Sequence, residues 1–380
     1  MSSVRPVIVT ARRTAIGTAG SMHADIDVIG LAAPLLAEAA RTGRADGAAL
    51  GSVDEVVLGN CLGPGGNIAR VAALAAGLGE QVPGVTVDRQ CGSGLEAVGQ
   101  AAALIRSGTA GTVLAGGVES VSTAPLRFWP ARRPGSEPVR YTRAPFAPAG
   151  FPDPSMGEAA DALADRMGIG RAEQDRYAQR SHRLAHRAAT AGTFDDEIVA
   201  VAGLSRDQRP RPGMTAERLA TLRPAFSAAG TATAGNSCGI SDGAAVVTVT
   251  TTAPGRVGLL IRGVATVGCD PALPGLGAAA AIRKVLSSTG IGVGDIGAVE
   301  ITEAFATVAL ATIELTGLPE EIVCTDGGAI GYGHPWGASG AVLLVRLFSR
   351  MVRADGPELG LAACAVGGGL GIAMLVERVG

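Results

Sequence analysis

Short runs of β-branched and other apolar residues alternate along this chain with longer Ala- and Leu-rich stretches of helical period. Such alternation predicts parallel strands joined by crossover helices. Near the N-terminus the pattern predicts strands over Pro6 to Thr10, Val53 to Leu58 and Val113 to Gly116, with helices over Val28 to Ala40 and Leu95 to Ile105. Near the C-terminus it predicts helices over Ala279 to Ser288, Phe305 to Gly317 and Ser339 to Val352, and strands over Ala298 to Ile301 and Leu361 to Val366. The uncharged stretch from Gly360 to Val376 is split by Gly367-Gly368-Gly369 and Gly371. It suits two buried strands and a turn better than a bilayer span.

Each end of the chain also carries a glycine-rich turn opening a helix, at Cys91-Gly92-Ser93-Gly94 and at Gly337-Ala338-Ser339-Gly340. The repetition implies two related α/β halves facing one another, one over 1–119 and 231–255, the other over 256–380. Residues 120–230 between them have a different texture and read as an insertion. Eight prolines from Pro125 to Pro154 predict irregular backbone at its start, and helices follow over Met156 to Met167 and Arg171 to Ala191. Arg127, Arg132, Arg133, Arg140 and Arg143, with Glu137 the lone acid among them, make the first part basic. A solvated or subunit-contacting loop is the plain reading, and a docking surface for an acidic or phosphorylated partner is the other.

Length and composition narrow the class. At 380 residues the chain exceeds one comfortable core. With 32 Lys+Arg against 34 Asp+Glu, the formal charge of -2 gives no general attraction to nucleic acid or anionic membrane. An apolar share of 47% with 17% charged residues predicts a large core, left by 3% aromatics to Ala, Val, Leu and Ile. The 56 glycines fall in clusters and read as loops. Six cysteines without any C-x-x-C pair, and four histidines, give no zinc spacing, so no metal site is expected. The N-terminal MSSVRPVIVTARRT lacks the apolar segment of a secretion signal, so the expected location is the cytoplasm, with free thiols.

Candidate chemistry sits in the two glycine-rich turns. Cys91 stands where a strand-like segment passes through small residues into a helix, which sets its thiol among unpaired N–H groups and favours the thiolate. Glycines there let a substrate approach the backbone, whose N–H groups can receive an oxyanion. His334 lies in Gly331-Tyr332-Gly333-His334-Pro335-Trp336-Gly337 at the corresponding turn of the second half. A thiol and a base-capable imidazole in matching turns point to Cys/His nucleophilic catalysis. Three other matches fail on context. Gly292-Val293-Gly294-Asp295-Ile296-Gly297 follows a helix and precedes a strand, the reverse of a dinucleotide site. Gly235-Asn236-Ser237-Cys238-Gly239 has no clear entering strand for a serine hydrolase. Asp195, Asp196 and Glu197 read as a solvated acidic patch.

With these residues in order, the chain resembles the thiolases, of the acetyl-CoA acetyltransferase and 3-ketoacyl-CoA thiolase type. The resemblance runs nearly end to end, through the Cys91 motif, Gly116-Gly117-Val118-Glu119-Ser120, Leu222-Arg223-Pro224-Ala225-Phe226, Thr233-Ala234-Gly235-Asn236, Thr302-Glu303-Ala304-Phe305-Ala306, the His334 motif and Gly367-Gly368-Gly369-Leu370-Gly371. It implies an α/β thiolase fold in five αβαβα layers with an inserted loop domain that holds CoA, and a homodimer or homotetramer. It implies CoA thioesters as substrates, with no permanently bound cofactor, and an acyl carrier protein as the alternative carrier. By the same resemblance Cys91 takes the acyl group, His334 activates it, and the N–H groups of Cys91 and Gly367 form an oxyanion hole. Arg211 falls near the family's CoA-phosphate arginine; Met156 matches its pantetheine loop, with Ser155 in place of the family's histidine. Cys238 stands where the family has Ser, either contacting pantetheine or filling the same volume.

Two positions depart from the family pattern. Thr302 replaces the Asn that holds the water of one oxyanion hole and is the candidate to hold it through a shorter-reaching hydroxyl, and Ala365 replaces the second catalytic Cys, which moves the α-proton. Cys364 is adjacent but on the opposite face of a regular strand, so replacing that Cys requires a bulge or register shift. The resemblance therefore implies Claisen condensation or thiolytic cleavage of 3-ketoacyl-CoA through a Cys91 acyl-enzyme. A thiolase-like acyltransferase or condensing enzyme of specialised biosynthesis without the usual α-proton base, and a non-catalytic partner subunit, are the alternatives.

Overall fold

The computed structural model describes residues 4–42 and 52–380. The N-terminal half is built from β1 (Pro6–Arg13), the short β2 (Gly17–Thr18), α1 (Val28–Thr42), β3 (Glu55–Gly59), α2 (Ile68–Ala75), β4 (Gly84–Val87), α3 (Ser93–Ser107) and β5 (Thr112–Glu119). The chain then runs through β6 (Arg127–Trp129), β7 (Val139–Tyr141), α4 (Met156–Met167), α5 (Arg171–Thr190) and α6 (Ala216–Ala220), and returns as β8 (Ser241–Thr251). The second half holds β9 (Gly258–Gly268), α7 (Gly277–Thr289), β10 (Ala298–Ile301), α8 (Ala306–Thr316), α9 (Ala329–Tyr332), α10 (Trp336–Phe348), β11 (Leu359–Val366) and β12 (Leu370–Val379).

Strand pairing shows the duplication directly. In the first half β1 pairs antiparallel with β8, β8 antiparallel with β5, and β5 parallel with β3. In the second, β9 pairs antiparallel with β12, β12 antiparallel with β11, and β11 parallel with β10. The halves join where β1 meets β9, at Val7↔Leu260 and Ile8↔Leu259. Period-2 alternation then sorts side chains into layers. Along β11, Ala362, Cys364 and Val366 face one core while Leu361 and Ala363 face another. In β5, Val113 and Ala115 face the same core as Cys364, whereas Leu114 and Val118 face a third. The shared core surrounds α3 and α10 between the sheets; the outer two hold α1 with α2 and α7 with α8. Five layers result. In α10 every residue from Gly337 to Phe348 is buried, as a helix flanked by sheet on both sides requires.

Two expectations are corrected. The proline-rich start of the insertion contains a hairpin, β6–β7, clasped by Trp129 stacked on Tyr141 at 4.4 Å. Its prolines lie outside the three-residue strands, so no ladder hydrogen bond is lost. Glu197 is not solvated: it is fully buried and accepts from Arg13 Nε at 2.9 Å and from Arg346. Arg13 also forks onto Asp207 at 2.7 and 2.9 Å, and Arg346 reaches Asp326. This buried network ties the insertion's end to both halves, its charges compensated by paired hydrogen bonds.

Candidate active site

Cys91 sits in a tight turn that opens α3. The turn is set by Gln90, whose φ of 45 is left-handed for a non-glycine residue, and which is held by its N–H donating to Asp88 Oδ1 at 2.7 Å. Ser93 closes the turn, its Oγ accepting from Arg89 N–H at 2.7 Å and donating to Gln90 O at 2.7 Å. A strained backbone fixed on both sides holds the Cys91 side chain in one place.

The second turn meets the first because both helix entrances are glycine. A Cβ on Gly94 would stand 2.8 Å from Ala341 N, and one on Gly340 would stand 2.5 Å from Leu95 N. Only bare backbone permits so close a crossing of α3 and α10. His334 precedes α10, and its backbone N–H donates to Gly239 O and Ser241 Oγ, each at 3.2 Å. Its Nε2 lies 3.2 Å from Cys91 Sγ and its Nδ1 lies 2.6 Å from Ser339 Oγ. With Nδ1–H donating to Ser339, Nε2 is free to accept the thiol proton. Burial lowers His334 to about 4 and pushes the Cys91 thiol well up, with the Cys238 and Cys364 thiols adding to the latter. The resting pair is a neutral thiol and a neutral imidazole rather than the thiolate expected at a helix entrance, because burial outweighs the backbone N–H groups at Cys91.

Two buried glutamates brace this pair. Glu119 accepts from Asn60 Nδ2 at 3.1 Å, from the N–H groups of Cys61 and Leu62 at 3.1 and 3.2 Å, and from Gly337 N–H at 3.0 Å. Glu303 accepts from Tyr177 Oη at 2.9 Å, Ser181 Oγ at 2.6 Å and Ile330 N–H at 3.2 Å, which fixes α9 just ahead of His334. Burial raises both carboxyls above their ordinary range.

The model of the thiolase N-terminal domain matches residues 6–253 and that of the thiolase C-terminal domain matches 257–378. The chain belongs to the thiolase family. An acetyl-CoA acetyltransferase of Escherichia coli is 40% identical, over 98% of this chain and 99% of its own. A putative acetyl-CoA C-acetyltransferase of Staphylococcus haemolyticus is 39% identical over 98% of each. The crystal structure of the Bacillus anthracis acetyl-CoA acetyltransferase superposes with a TM-score of 0.92 at 38% identity, covering 99% of both chains. The thiolase fold and a thiolase-type acyltransferase activity follow.

Around the Cys91–His334 pair this thiolase gathers several of the residues picked out in its sequence. Val366 Cγ2 lies 2.9 Å from where Gly92 would carry a Cβ, so the turn beginning at Gly367 adjoins the Cys91 turn. Thr302 Oγ1 is 3.1 Å from Cys364 Sγ, both fully or nearly fully buried. The register Cys364↔Ile372, Ala365↔Gly371 runs without a bulge, so Cys364 faces the α3–α10 core while Ala365 packs on the other side. Cys238 donates its N–H to Ala304 O at 2.9 Å; burial raises its thiol to about 12, with the Arg209 cation opposing. Other candidates stand apart. Ser155 is the N-cap of α4 in a reciprocal pair with Glu158 at 3.3 and 3.0 Å, Met156 follows it half-buried, and Arg211 is exposed ahead of α6. None of the three makes a hydrogen bond or ion pair to the Cys91–His334 group among the described residues. No helix among the described residues is long and apolar enough to cross a membrane.

Ser339, Glu119 and Glu303 were not marked as functional by sequence reasoning. Glu119 carried a signal, a lone acid ending the otherwise apolar β5, whereas Glu303 follows a strand that already holds Glu300 and carried none. Ser339 carried none beyond its place five residues after His334.

Proposed function

We propose that this thiolase works through an acyl-enzyme on Cys91, with CoA thioesters as its substrates. The observation that carries the reading is the 3.2 Å approach of His334 Nε2 to Cys91 Sγ, with the imidazole held from behind by Ser339. The imidazole takes the thiol proton as sulfur attacks the thioester carbonyl, and the CoA thiolate leaves with that proton. In cleavage of a 3-ketoacyl-CoA the same sulfur attacks the ketone carbon, the bond to the α-carbon breaks, and the leaving enolate takes up a proton. The N–H groups of Cys91 and Gly367 are the proposed donors to the tetrahedral oxyanion. The names of the relatives support acetyl-CoA as the thioester class. Residues 120–230 are the proposed CoA-holding domain, with Arg211, Ser155 and Met156 as its proposed contacts and Cys238 as a further one beyond it, and a cytoplasmic homodimer or homotetramer is the proposed assembly.

A pH profile tests the neutral pair. Burial disfavours the imidazolium, so His334 remains a competent base at lower pH than an ordinary histidine. Acylation measured as kcat/KM for acetyl-CoA should stay level through the neutral range and fall only as pH approaches about 4. An inflection at the usual histidine value of 6.5 contradicts the buried neutral imidazole.

The step at the α-carbon needs its own proton carrier, and Ala365 has no ionisable group. β11 has no bulge, so Cys364 does not take the place of the family's second Cys; we propose it instead as the carrier from its own face, on which its thiol helps to raise that of Cys91. Burial raises its thiol to about 12, with the Thr302 hydrogen bond opposing, so it holds its proton at neutral pH as donation to an enolate requires. Cys364→Ala should retain acetylation of Cys91 by acetyl-CoA and lose cleavage of acetoacetyl-CoA. Retention of both activities rules Cys364 out.

A further inference from the structure

One aromatic ring of the insertion lies against the glycine turn beside the nucleophile. A Cβ on Gly367 would stand 2.7 Å from Cε2 and 3.0 Å from Cδ2 of Phe146, and one on Gly368 would stand 3.3 Å from the Phe146 Cβ. Only a glycine backbone admits the ring at this distance. The turn it covers is the one whose neighbour Val366 touches Gly92, next to Cys91.

The ring is clamped rather than merely resting there. The Arg143 guanidinium stands over it at 4.7 Å from the centroid. Arg143 donates to Asp153 Oδ1 at 2.6 Å and to Asp153 O at 3.1 Å, while Asp153 Oδ2 accepts the Phe146 N–H at 3.3 Å. Three residues from a stretch without helix or strand thus fix one phenyl ring in place. Phe146 belongs to none of the buried cores, and it remains partly exposed. A phenylalanine so placed is not explained by core packing; its ring is a wall facing the backbone beside the nucleophile.

We propose that Phe146 sets the acyl-length limit of this site, walling the space beside Gly367 so that acetyl and acetoacetyl groups fit and longer 3-ketoacyl chains do not. The proposal rests on the reading that Cys91 carries the acyl group. A longer chain has to displace the ring, and the ring cannot move without breaking the Arg143 stack, while Asp153 holds Arg143 and the Phe146 backbone in place. Arg143 and Asp153 are positioning residues that act through Phe146.

The test is the ratio of kcat/KM for 3-ketooctanoyl-CoA to that for acetoacetyl-CoA, in the wild type, Phe146→Ala, Phe146→Leu and Asp153→Asn, with Cys91 acylation followed by intact-protein mass spectrometry. The wild type should favour acetoacetyl-CoA. Phe146→Ala should raise the ratio by about 10-fold or more, the range that pocket size commands for added methylenes, mainly through KM for the longer chain. Phe146→Leu should move it in the same direction by less, and Asp153→Asn should loosen the limit with the ring still present. A purely structural role lowers both substrates alike and leaves the ratio fixed, which overturns the proposal, as does a wild type that already accepts the longer chain equally well. Failure of the underlying reading looks different: no Cys91 adduct forms in the wild type with either substrate.

Discussion

Cys91→Ala is expected to lose all turnover of acetoacetyl-CoA with added CoA, and to form no acyl adduct with acetyl-CoA, while its thermal unfolding stays near that of the wild type. The methyl group fits the space the thiol leaves, and among the described residues the one hydrogen-bonding contact of the Cys91 thiol is to His334. No other thiol of the site can take over. Among the described residues Cys364 is bonded to Thr302 rather than to an imidazole, and Cys61 is turned to Ser93 at 3.9 Å. Among the described residues no hydrogen bond joins the Cys238 thiol to a base, and burial holds that thiol up at about 12. Spectrophotometric thiolysis and intact-mass measurement read the two effects separately. Residual turnover in this variant with an adduct on another cysteine assigns the nucleophile elsewhere.

His334→Asn should reduce acylation by about 10²- to 10⁴-fold, the usual contribution of a positioned general base. The amide retains much of the imidazole's volume and can still bond Ser339 Oγ, but it has no basic nitrogen to take the Cys91 proton. Burial keeps that thiol protonated at neutral pH, so without the base there is almost no thiolate to attack. The loss should appear mainly in kcat, with KM for acetyl-CoA little changed, because His334 acts on the bond being made and not on the CoA moiety. An equal rate in the variant means that Cys91 is activated by some other group.

Much of this was legible in the sequence because the relevant signals are local. The strand over Ala298–Ile301 and the helix over Met156–Met167 have the predicted bounds, each marked by a change of hydrophobic period. Cys91 and His334 stood out because each is embedded in a run of small residues that nothing but a tight turn needs. The β6–β7 hairpin was hidden by its prolines and arginines: a two-stranded ribbon with three residues a side has too little pattern to register. Glu197 was misread for a related reason. Its partners Arg13 and Arg346 are 184 and 149 residues away, and no sequence period reports a contact over such distances. Ser339 shows the same limit within the site, since a serine in a helical first turn looks alike whether it caps, packs or holds an imidazole.

The placement of Cys364 depends on register, which sequence fixes only through the alternation it imposes. Because β11 and β12 remain in step from Leu359↔Glu377 to Val366↔Leu370, Cys364 and Ala365 stay on opposite faces. The proton carrier proposed for the α-carbon therefore reaches the site from the α3–α10 side, through the neighbourhood of Thr302.

The central claim is that Cys91 carries the acyl group. The measurement that tests it most directly is intact-protein and peptide mass spectrometry of the wild-type enzyme after brief exposure to acetyl-CoA, with released CoA quantified in the same sample. One acetyl group per chain, mapped to the peptide containing Cys91, with an equal amount of CoA released and the adduct discharged by added CoA, is the predicted result. Turnover of acetoacetyl-CoA with Cys91 never acetylated, or an acetyl group on any other residue, would contradict it.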